Sequence, residues 1–298
     1  MTALPSSNQR CADLSSETHD APQAPNPVAA YYEALTEPLL YGCGDLLALH
    51  FGLWGPDTVS DRESVIRSNR TLTRGCDLRP GAHLLDAGCG LGGTAIALAE
   101  EHGVKVTGLT NCEPHVALAA GYADRRGAGH LVEFRHGDFM DMPFPDGAFE
   151  AVLNHESFCY APDKHAYLRG VFRVLKPGGR WQAIEGLLTG QVLSDADEAT
   201  YARLLRGFRI PPLMSPGELT AALEATGFER VHEQDLTAQV AKATDHTRQL
   251  WATLQSVNLP AREKYPEYHD WMDAAVAFDR GLREGAFSYM FVSATKPA

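Results

Sequence analysis

The residues whose types and spacing suggest chemistry begin with an acidic side chain beside a run of glycines. Asp86 comes two residues before Gly88, and three more glycines follow by residue 93. Glycines let a backbone lie against a ligand, and the amides at the start of a helix are free to bind one. A carboxylate at this place opposes a pyrophosphate but suits a cation. The spacing favours a positively charged ligand over a dinucleotide; a plain strand-to-helix turn is the alternative.

A second group of reactive side chains follows a later apolar stretch. His155 and Glu156 come first, and Phe158, Cys159 and Tyr160 follow at once. A carboxylate among aromatic rings is suited to removing a proton from a carbocation, because the rings stabilise the cation first. We therefore predict that Glu156, His155 and Tyr160 are catalytic, with Glu156 as general base and His155 as an orienting or packing residue. A glutamate on a surface loop, or one that contacts a cofactor, is the alternative.

Strands and helices must alternate to position these residues. Five apolar stretches predict strands, at about 83–87, 104–109, 132–135, 149–153 and 180–184. Helical patterns lie between them, at about 94–102, 113–126 and 164–175. This alternation indicates right-handed crossovers and a parallel sheet covered on both faces. Capping boxes at Ser60 and Ser215 predict further helices, residues 176–179 predict a turn, and residues 287–294 predict a late strand.

Three segments resemble motifs of the class I S-adenosylmethionine-dependent methyltransferases. Residues 84–93 resemble the glycine-rich motif, residues 137–144 the segment that contacts adenine, and residues 175–179 the turn before the fifth strand. The resemblance covers residues 80–188. It implies an α/β fold with a Rossmann-like sheet, mostly parallel with an antiparallel last strand, an N-terminal helical lid and helical cap insertions. It also implies S-adenosylmethionine as the cofactor.

The same resemblance assigns cofactor contacts. Asp86 is expected to face the methionine amino group, with the backbone of Gly88 and Gly90 against the methionine portion. Asp138 is expected to accept from the adenine amino group while Phe139 packs on the ring. Residues 108–115 lack the acidic residue that many relatives use for the ribose, and they resemble a variant of lipid and terpenoid C-methyltransferases. Further cofactor contacts are therefore expected from Thr110, Asn111, His115 and Asn154. For Thr110 and His115, a role in starting the helix is the alternative.

Shorter and more scattered similarities concern the segments that would bind the methyl acceptor. Residues 41–52 look like the aromatic-glycine lid of sterol and terpenoid C-methyltransferases, and residues 154–157 and 285–289 are similar to segments of bacterial geranyl diphosphate C-methyltransferases. This implies an isoprenoid alkene that attacks the sulfonium methyl and becomes a carbocation, which Glu156 deprotonates. The predicted substrate-binding residues are Tyr41, His50, Phe51, Phe158, Arg203, Phe208 and His246.

A diphosphate on the acceptor needs positive charge. Arg203, Arg206 and Arg209 share one side of a predicted helix, and arginine binds phosphate through paired hydrogen bonds. A solvated helix face explains these arginines equally well. A Mg²⁺ ion that bridges the diphosphate is compatible with this arrangement, and no protein metal ligands are predicted.

Composition narrows the function classes. The 298 residues include 38 Asp and Glu against 26 Lys and Arg, for a formal net charge of −12, which argues against binding nucleic acid. The six cysteines have neither disulfide nor zinc spacing, and no apolar run is long enough to span a membrane. The N-terminus lacks a signal pattern. We therefore predict a cytoplasmic enzyme without a membrane partner; a homo-oligomer is compatible with the sequence.

These patterns divide the chain into four segments. They are a disordered tail at 1–26, a helical lid at 27–79, an S-adenosylmethionine-binding core at 80–188, and a helical cap with the final two strands at 189–298.

The predicted activity is C-methylation of an alkene carbon of isopentenyl, geranyl or farnesyl diphosphate. The alternative is a small-molecule O- or N-methyltransferase of secondary metabolism, in which His155 or Glu156 deprotonates a phenol or amine. A third reading is a non-catalytic protein on the same fold. The sequence does not fix the acceptor's chain length or the methylated carbon.

Overall fold

The computed structural model describes residues 27–76, 78–257 and 259–298, so the predicted tail at 1–26 lies outside them. Its strands are β1 (His83–Ala87), β2 (Lys105–Thr110), β3 (Val132–His136), β4 (Phe149–His155), β5 (Leu175–Leu188), β6 (Glu229–Asp235) and β7 (Phe287–Thr295). They form one sheet in the order β3-β2-β1-β4-β5-β7-β6. Strands β1 to β5 pair in parallel, while β7 runs antiparallel to both β5 and β6. The predicted fold class is therefore confirmed.

Helices cover the sheet and extend beyond it. They are α1 (Pro27–Cys43), α2 (Asp61–Leu72), α3 (Gly93–His102), α4 (Glu113–Arg125), α5 (Lys164–Val174), α6 (Asp195–Phe208), α7 (Pro216–Thr226), α8 (Thr237–Ser256) and α9 (Pro266–Glu284). Both predicted N-caps form, but only one capping box does. Ser215 and Glu218 bond reciprocally, whereas Ser60 Oγ accepts from the Glu63 amide and the Glu63 carboxylate accepts from the Val59 amide instead of that of Ser60. No helix of the described ranges is long and apolar enough to cross a bilayer.

Two apolar layers hold the sheet between the helices. Successive side chains of a strand point to opposite faces, so Leu84 joins one layer and Leu85 the other. Ile96 of α3 covers the first face, and Leu168 of α5 covers the second. Because both faces are buried, the parallel strands read as continuous apolar runs.

The structure departs from local proline and glycine signals of the sequence at two places. Helix α1 passes through Pro38 to Cys43, because Leu35 and Leu39 are buried in a cluster that includes Trp251. The predicted turn at 176–179 lies inside β5. Its pairing with β4 jumps from Phe149–Leu175 to Ala151–Arg180, so these four residues interrupt the ladder rather than precede the strand. Tertiary packing overrides the local proline and glycine signals at both places.

Strands β1, β2 and β4 end at the same edge of the sheet. Parallel strands place their carboxyl ends together, and ligands of open α/β sheets bind there. Asp86 is the next-to-last residue of β1, Thr110 is the last residue of β2, and Glu156 directly follows β4. The fold therefore gathers both groups of reactive residues at one edge.

Candidate active site

Two adjoining cavities open at this edge of the sheet. The first, which we call the cofactor cavity, is lined by the glycine-rich loop and the ends of β2 and β4. The second, the acceptor cavity, is lined by the loop after α1, by Glu185 and Gly186 of β5, and by helices α6, α8 and α9. Five side chains line both: Tyr32, Leu49, His50, Glu156 and Tyr160. A group held in one cavity can therefore meet a group held in the other.

Most predicted cofactor contacts lie together in the cofactor cavity. Its lining includes Asp86, Gly88, Gly90, Thr110, Asn111, His115, Asp138 and Phe139. Asn154 is outside this lining. Its amide donates to Ala87 O and Ser157 Oγ, and its carbonyl accepts from Tyr167 and Trp181. All of its hydrogen-bonding capacity is used inside the protein, so Asn154 braces the loops instead of contacting the cavity.

Asp86 and the glycines fit a cationic ligand. Asp86 is buried, and its Oδ2 has no hydrogen-bond partner among the described residues. Burial raises the pKa of this carboxyl to about 7. The backbone of Gly88 has φ +92°, and a Cβ there would lie 2.5 Å from Ser157 Cβ. An ammonium group beside Oδ2 would supply the missing partner. The loop has room for such a ligand because residue 88 carries no side chain.

The polar rim of the cofactor cavity is tied to the N-terminal helix. His115 Nε2 lies 2.9 Å from Thr36 Oγ1 of α1, while its Nδ1 is buried with no hydrogen-bond partner in the part of the chain that the structure describes. Burial lowers the pKa of His115 to about 4, so the imidazole is neutral. Asp138 is exposed and accepts from the Met140 amide. The unpartnered Nδ1 gives the cavity a second polar atom for a ligand.

Glu156 stands where the two cavities meet. Its Oε1 accepts from the Phe51 amide at 2.7 Å and from the Tyr289 hydroxyl at 2.5 Å. Burial raises its pKa to about 7, against the lowering effect of these two donors. The residue has φ +53°, a conformation that non-glycine residues seldom adopt. A carboxylate with such a pKa is suited to accept a proton at neutral pH.

The acceptor cavity is largely apolar and aromatic. Its rings include Phe51, Phe208, Tyr268, Trp271, Phe278 and Tyr289. Among its described lining residues there is no Lys or Arg, and the ionisable acids are Glu156 and Glu185. His50 also lines it, but burial lowers the pKa of that imidazole to about 4. The cavity thus offers electron-rich faces and acids, without a fixed positive charge.

Four predicted substrate contacts are placed elsewhere. Tyr41 is 84% exposed. Phe158 is fully buried in the core against Trp181, because its hydrophobic ring turns away from the cavity. Arg203 is on the exposed face of α6, outside the lining. His246 lies 3.2 Å from an Asp61 oxygen at the surface. By contrast, His50, Phe51 and Phe208 line the acceptor cavity, and their contact with substrate stays a prediction.

The three predicted catalytic residues have different surroundings. Glu156 and Tyr160 line both cavities, and the Tyr160 hydroxyl lies 2.8 Å from that of Tyr32. His155 lines the cofactor cavity, and its ring stacks on His50 at 3.4 Å between centroids. Its nitrogens lie near Ser68 Oγ and Thr94 Oγ1, and burial holds its pKa well below the usual value. His155 is neutral and held by packing, in keeping with an orienting role.

Three further residues line the acceptor cavity although the sequence does not predict a role for them: Tyr32, Glu185 and Tyr289. Glu185 follows the apolar stretch 181–184 as a lone acid at the carboxyl end of a buried strand. That position is itself a signal, since an acid there is costly unless it has a use. Tyr289 reaches Glu156 only through the antiparallel pairing of β7 with β5, which local patterns do not predict.

Comparisons with known proteins agree with this geometry. Residues 85–181 match the methyltransferase domain family. The chain is 33% identical over 233 residues to the sterol 24-C-methyltransferase of Aspergillus fumigatus, covering 77% of this chain and 61% of that protein. The chain therefore spans about three fifths of the length of that curated relative.

Two solved structures share the fold over most of this chain. The [4+2]-cyclase SpnF superposes with a TM-score of 0.76 at 28% identity, covering 91% of this chain and 95% of that one. A geranyl diphosphate C-methyltransferase from Streptomyces coelicolor A3(2), solved with Mg²⁺ and geranyl diphosphate, superposes with a TM-score of 0.68 at 21% identity. The coverage is 92% of this chain and 100% of that one. At this identity the second likeness concerns the fold alone.

Proposed function

We propose that this chain, which carries a class I S-adenosylmethionine-dependent methyltransferase domain, methylates an alkene carbon of an isoprenoid and that Glu156 removes the resulting proton. The observation that carries the proposal is the position of Glu156. Its carboxyl lines both cavities, and its pKa is about 7. The likeness to a sterol 24-C-methyltransferase supports carbon as the methylated atom.

The residues of the cofactor cavity would hold S-adenosylmethionine through its charge and shape. Asp86 Oδ2 would pair with the ammonium group, and the backbone at Gly88 and Gly90 would lie against the methionine portion. Once bound, this cofactor supplies an electrophilic methyl group. The chain holds the cofactor and the acceptor beside each other, which removes most of the entropic barrier of a bimolecular reaction.

The acceptor cavity is suited to a carbocation. The rings of Phe51 and Tyr160 line this cavity together with Glu156, and electron-rich faces attract positive charge. Ionised Glu156 can then take a proton from the carbon beside the cationic centre, which leaves a new double bond. His155 is not a lining residue of this cavity, so the alternative in which it deprotonates a phenol or amine has less support.

The diphosphate that the sequence predicts finds no cationic partner in the acceptor cavity. Its described lining contains Glu156 and Glu185 but no Lys or Arg, so a phosphate would meet no positive side chain there and would be repelled by ionised Glu156. Within the described ranges, no group of three or more His, Cys, Asp or Glu side chains could hold a metal. We therefore propose an uncharged isoprenoid, such as a sterol or another polycyclic or linear terpenoid. A requirement for Mg²⁺ is expected only if the acceptor carries a diphosphate.

An acceptor panel tests this function. The purified protein is incubated with methyl-labelled S-adenosylmethionine and lanosterol, geraniol, geranyl diphosphate or a simple phenol. We expect a labelled product with one added carbon from lanosterol or geraniol, without a magnesium requirement. Transfer to geranyl diphosphate only in the presence of Mg²⁺ would restore the diphosphate acceptor, and transfer only to the phenol would refute C-methylation.

A cycloaddition is the second candidate function. The observation that favours it is the 28% identity to a [4+2]-cyclase over 91% of this chain. An apolar cavity that holds a folded polyene, with buried acids as hydrogen-bond donors, can catalyse such a reaction without transferring a methyl group. Product mass separates the candidates: methylation adds one carbon and two hydrogens, whereas cyclisation gives an isomer and consumes no cofactor.

A further inference from the structure

A second buried acid, Glu185, contacts the turn that carries Glu156. In the parallel pairing of β4 with β5, His155 lies opposite Ile184. The next residues along the two strands, Glu156 and Glu185, are therefore neighbours. The Glu156 amide continues the ladder by donating to Ile184 O at 2.9 Å. The fold thus places the two carboxyl side chains side by side at the edge of the sheet.

The Glu185 carboxyl binds the backbone on the far side of Glu156. Its Oε1 accepts from the amides of Ser157 and Phe158, at 2.8 and 2.6 Å. These two amides begin a tight turn, and Glu156 enters that turn with φ +53°. A non-glycine residue keeps such a conformation only when the surroundings hold it there. Glu185 supplies two of those holding contacts.

We propose that Glu185 is a positioning residue for Glu156: by accepting from the Ser157 and Phe158 amides, it holds the turn that directs the Glu156 carboxyl to the border of the two cavities. The proposal rests on the proposed function of Glu156. Without Glu185, the two amides lose their acceptor and the turn can relax towards ordinary backbone angles. The Glu156 side chain then leaves the donors Phe51 and Tyr289.

The burial and the raised pKa of Glu185 support this role. Its side chain is 1% exposed, and its Oε2 has no hydrogen-bond partner among the described residues. Burial, together with the nearby charge of Glu156, raises the pKa of Glu185 to about 8. Because Oε1 already accepts two amides, the proton belongs on Oε2. Burial therefore favours the neutral form of the Glu185 carboxyl, and the two acids titrate as a coupled pair.

Several other ionisable groups face Glu156. Tyr289 of β7 donates to it, Cys159 lies in the same turn, and Tyr32 approaches from α1. Burial raises the pKa of each of these three groups above its ordinary value. The neighbouring imidazoles are those of His50 and His155, whose pKa values burial lowers. All five groups are neutral at pH 7. Asp86 of the cofactor cavity, whose pKa burial also raises to about 7, is the other acid that titrates in this range, so only a difference against Glu156→Gln isolates Glu156.

The ionisation of Glu156 gives a test that needs no acceptor. Infrared difference spectra between the wild type and Glu156→Gln isolate the Glu156 carboxyl and follow its protonation with pH. In the wild type and in Glu185→Gln, whose carbonyl still accepts both amides, we expect a midpoint near 7. In Glu185→Ala we expect the midpoint to fall towards the ordinary value of 4.5, because the carboxyl reaches water.

A second variant tests the role of Glu185 if Glu185→Ala folds poorly. Glu185→Asp keeps an acid that is too short to reach both amides, and it should behave as Glu185→Ala does. Glu150→Ala is the matched control, since Glu150 accepts from the His83 amide away from both cavities. A midpoint near 7 in the folded Glu185→Ala or Glu185→Asp protein would overturn the proposal. So would a Glu185→Gln protein that shifts as far as Glu185→Ala.

A double-mutant cycle measures the same coupling in turnover of the acceptor that the panel identifies. Misplacing a reacting group by about 1 Å lowers rates by about 100-fold, and we expect that loss in kcat for Glu185→Ala. In a Glu156→Gln background, Glu185→Ala should cause no further loss, because it acts through Glu156. Additive losses would indicate a merely structural role and overturn the proposal. If Glu156→Gln itself has wild-type turnover, the proposed function fails, while the infrared midpoint still decides whether Glu185 positions Glu156.

Discussion

Replacing Asp86 by Asn should stabilise the ligand-free protein while removing its affinity for the cofactor. Burial raises the pKa of Asp86 from its ordinary 3.8 to about 7. The unfolded chain ionises this carboxyl above pH 3.8, but the folded protein resists doing so until about pH 7. Stability is therefore unaffected below pH 3.8, falls between these two values, and stays low above pH 7.

The size of the effect follows from the two pKa values. At about 1.4 kcal/mol for each pH unit, the cost above pH 7 is about 4 kcal/mol. The Asp86 carboxyl accepts a hydrogen bond from the Ala95 amide. An asparagine keeps an oxygen for that amide and has no charge to bury, so Asp86→Asn should recover most of this free energy. Urea unfolding of the ligand-free proteins should give a difference of about 4 kcal/mol at pH 8, and almost none at pH 4.

S-adenosylhomocysteine, which retains the ammonium group, should narrow the difference in stability between the two proteins at pH 8 from about 4 to about 1 kcal/mol. At about 100 times its Kd, a ligand stabilises the wild type by about 2.7 kcal/mol, and Asp86→Asn should gain almost nothing. Asp146→Asn is the control, because that side chain is 81% exposed in an ion pair with Arg173. The reasoning is refuted if Asp86→Asn is less stable than the ligand-free wild type at pH 8, or if it binds S-adenosylhomocysteine as tightly as the wild type does.

Three shorter predictions test other parts of the site. Gly88→Ala should abolish S-adenosylhomocysteine binding in calorimetry, because its Cβ would lie 2.5 Å from Ser157 Cβ at a φ of +92°; normal binding would contradict the need for a residue without a side chain there. Tyr289→Phe removes a donor that lowers the pKa of Glu156, so the acidic limb of the pH–rate profile should move to higher pH; an unmoved limb would separate the tyrosine from the base. Arg203→Ala should leave kcat/KM within about twofold, since surface side chains outside a site contribute little; a large loss would return this arginine to substrate binding.

The sequence was sufficient for the features that depend on local order. The glycine-rich loop, the strand-helix alternation and the acid after β4 all follow from neighbouring residues, and the parallel sheet then brings Asp86 and Glu156 to one edge. The cofactor side of the site depends on this edge alone. Eight of the nine predicted cofactor residues accordingly line the cofactor cavity.

The acceptor side depends on packing between distant segments, which local patterns do not encode. Phe158 and Tyr41 are both aromatic residues near the site in sequence, yet one is core and the other is exposed. Asn154 has the polar side chain that a cofactor contact needs, but four protein groups satisfy it first. Glu185 joins Glu156 through the pairing of β5 with β4, and Tyr289 joins it through the pairing of β7 with β5, a contact between residues about a hundred positions apart.

The most direct test of the account is methyl transfer by Glu156→Gln, measured under single-turnover conditions with the acceptor that the panel identifies. Glutamine keeps the size of the side chain and an oxygen for the Phe51 amide and Tyr289 hydroxyl, but it cannot take a proton. We predict that deprotonated, methylated product falls by at least about 100-fold while S-adenosylhomocysteine binds normally, and that Glu150→Gln matches the wild type. A Glu156→Gln protein that makes this product at the wild-type rate would contradict the central claim.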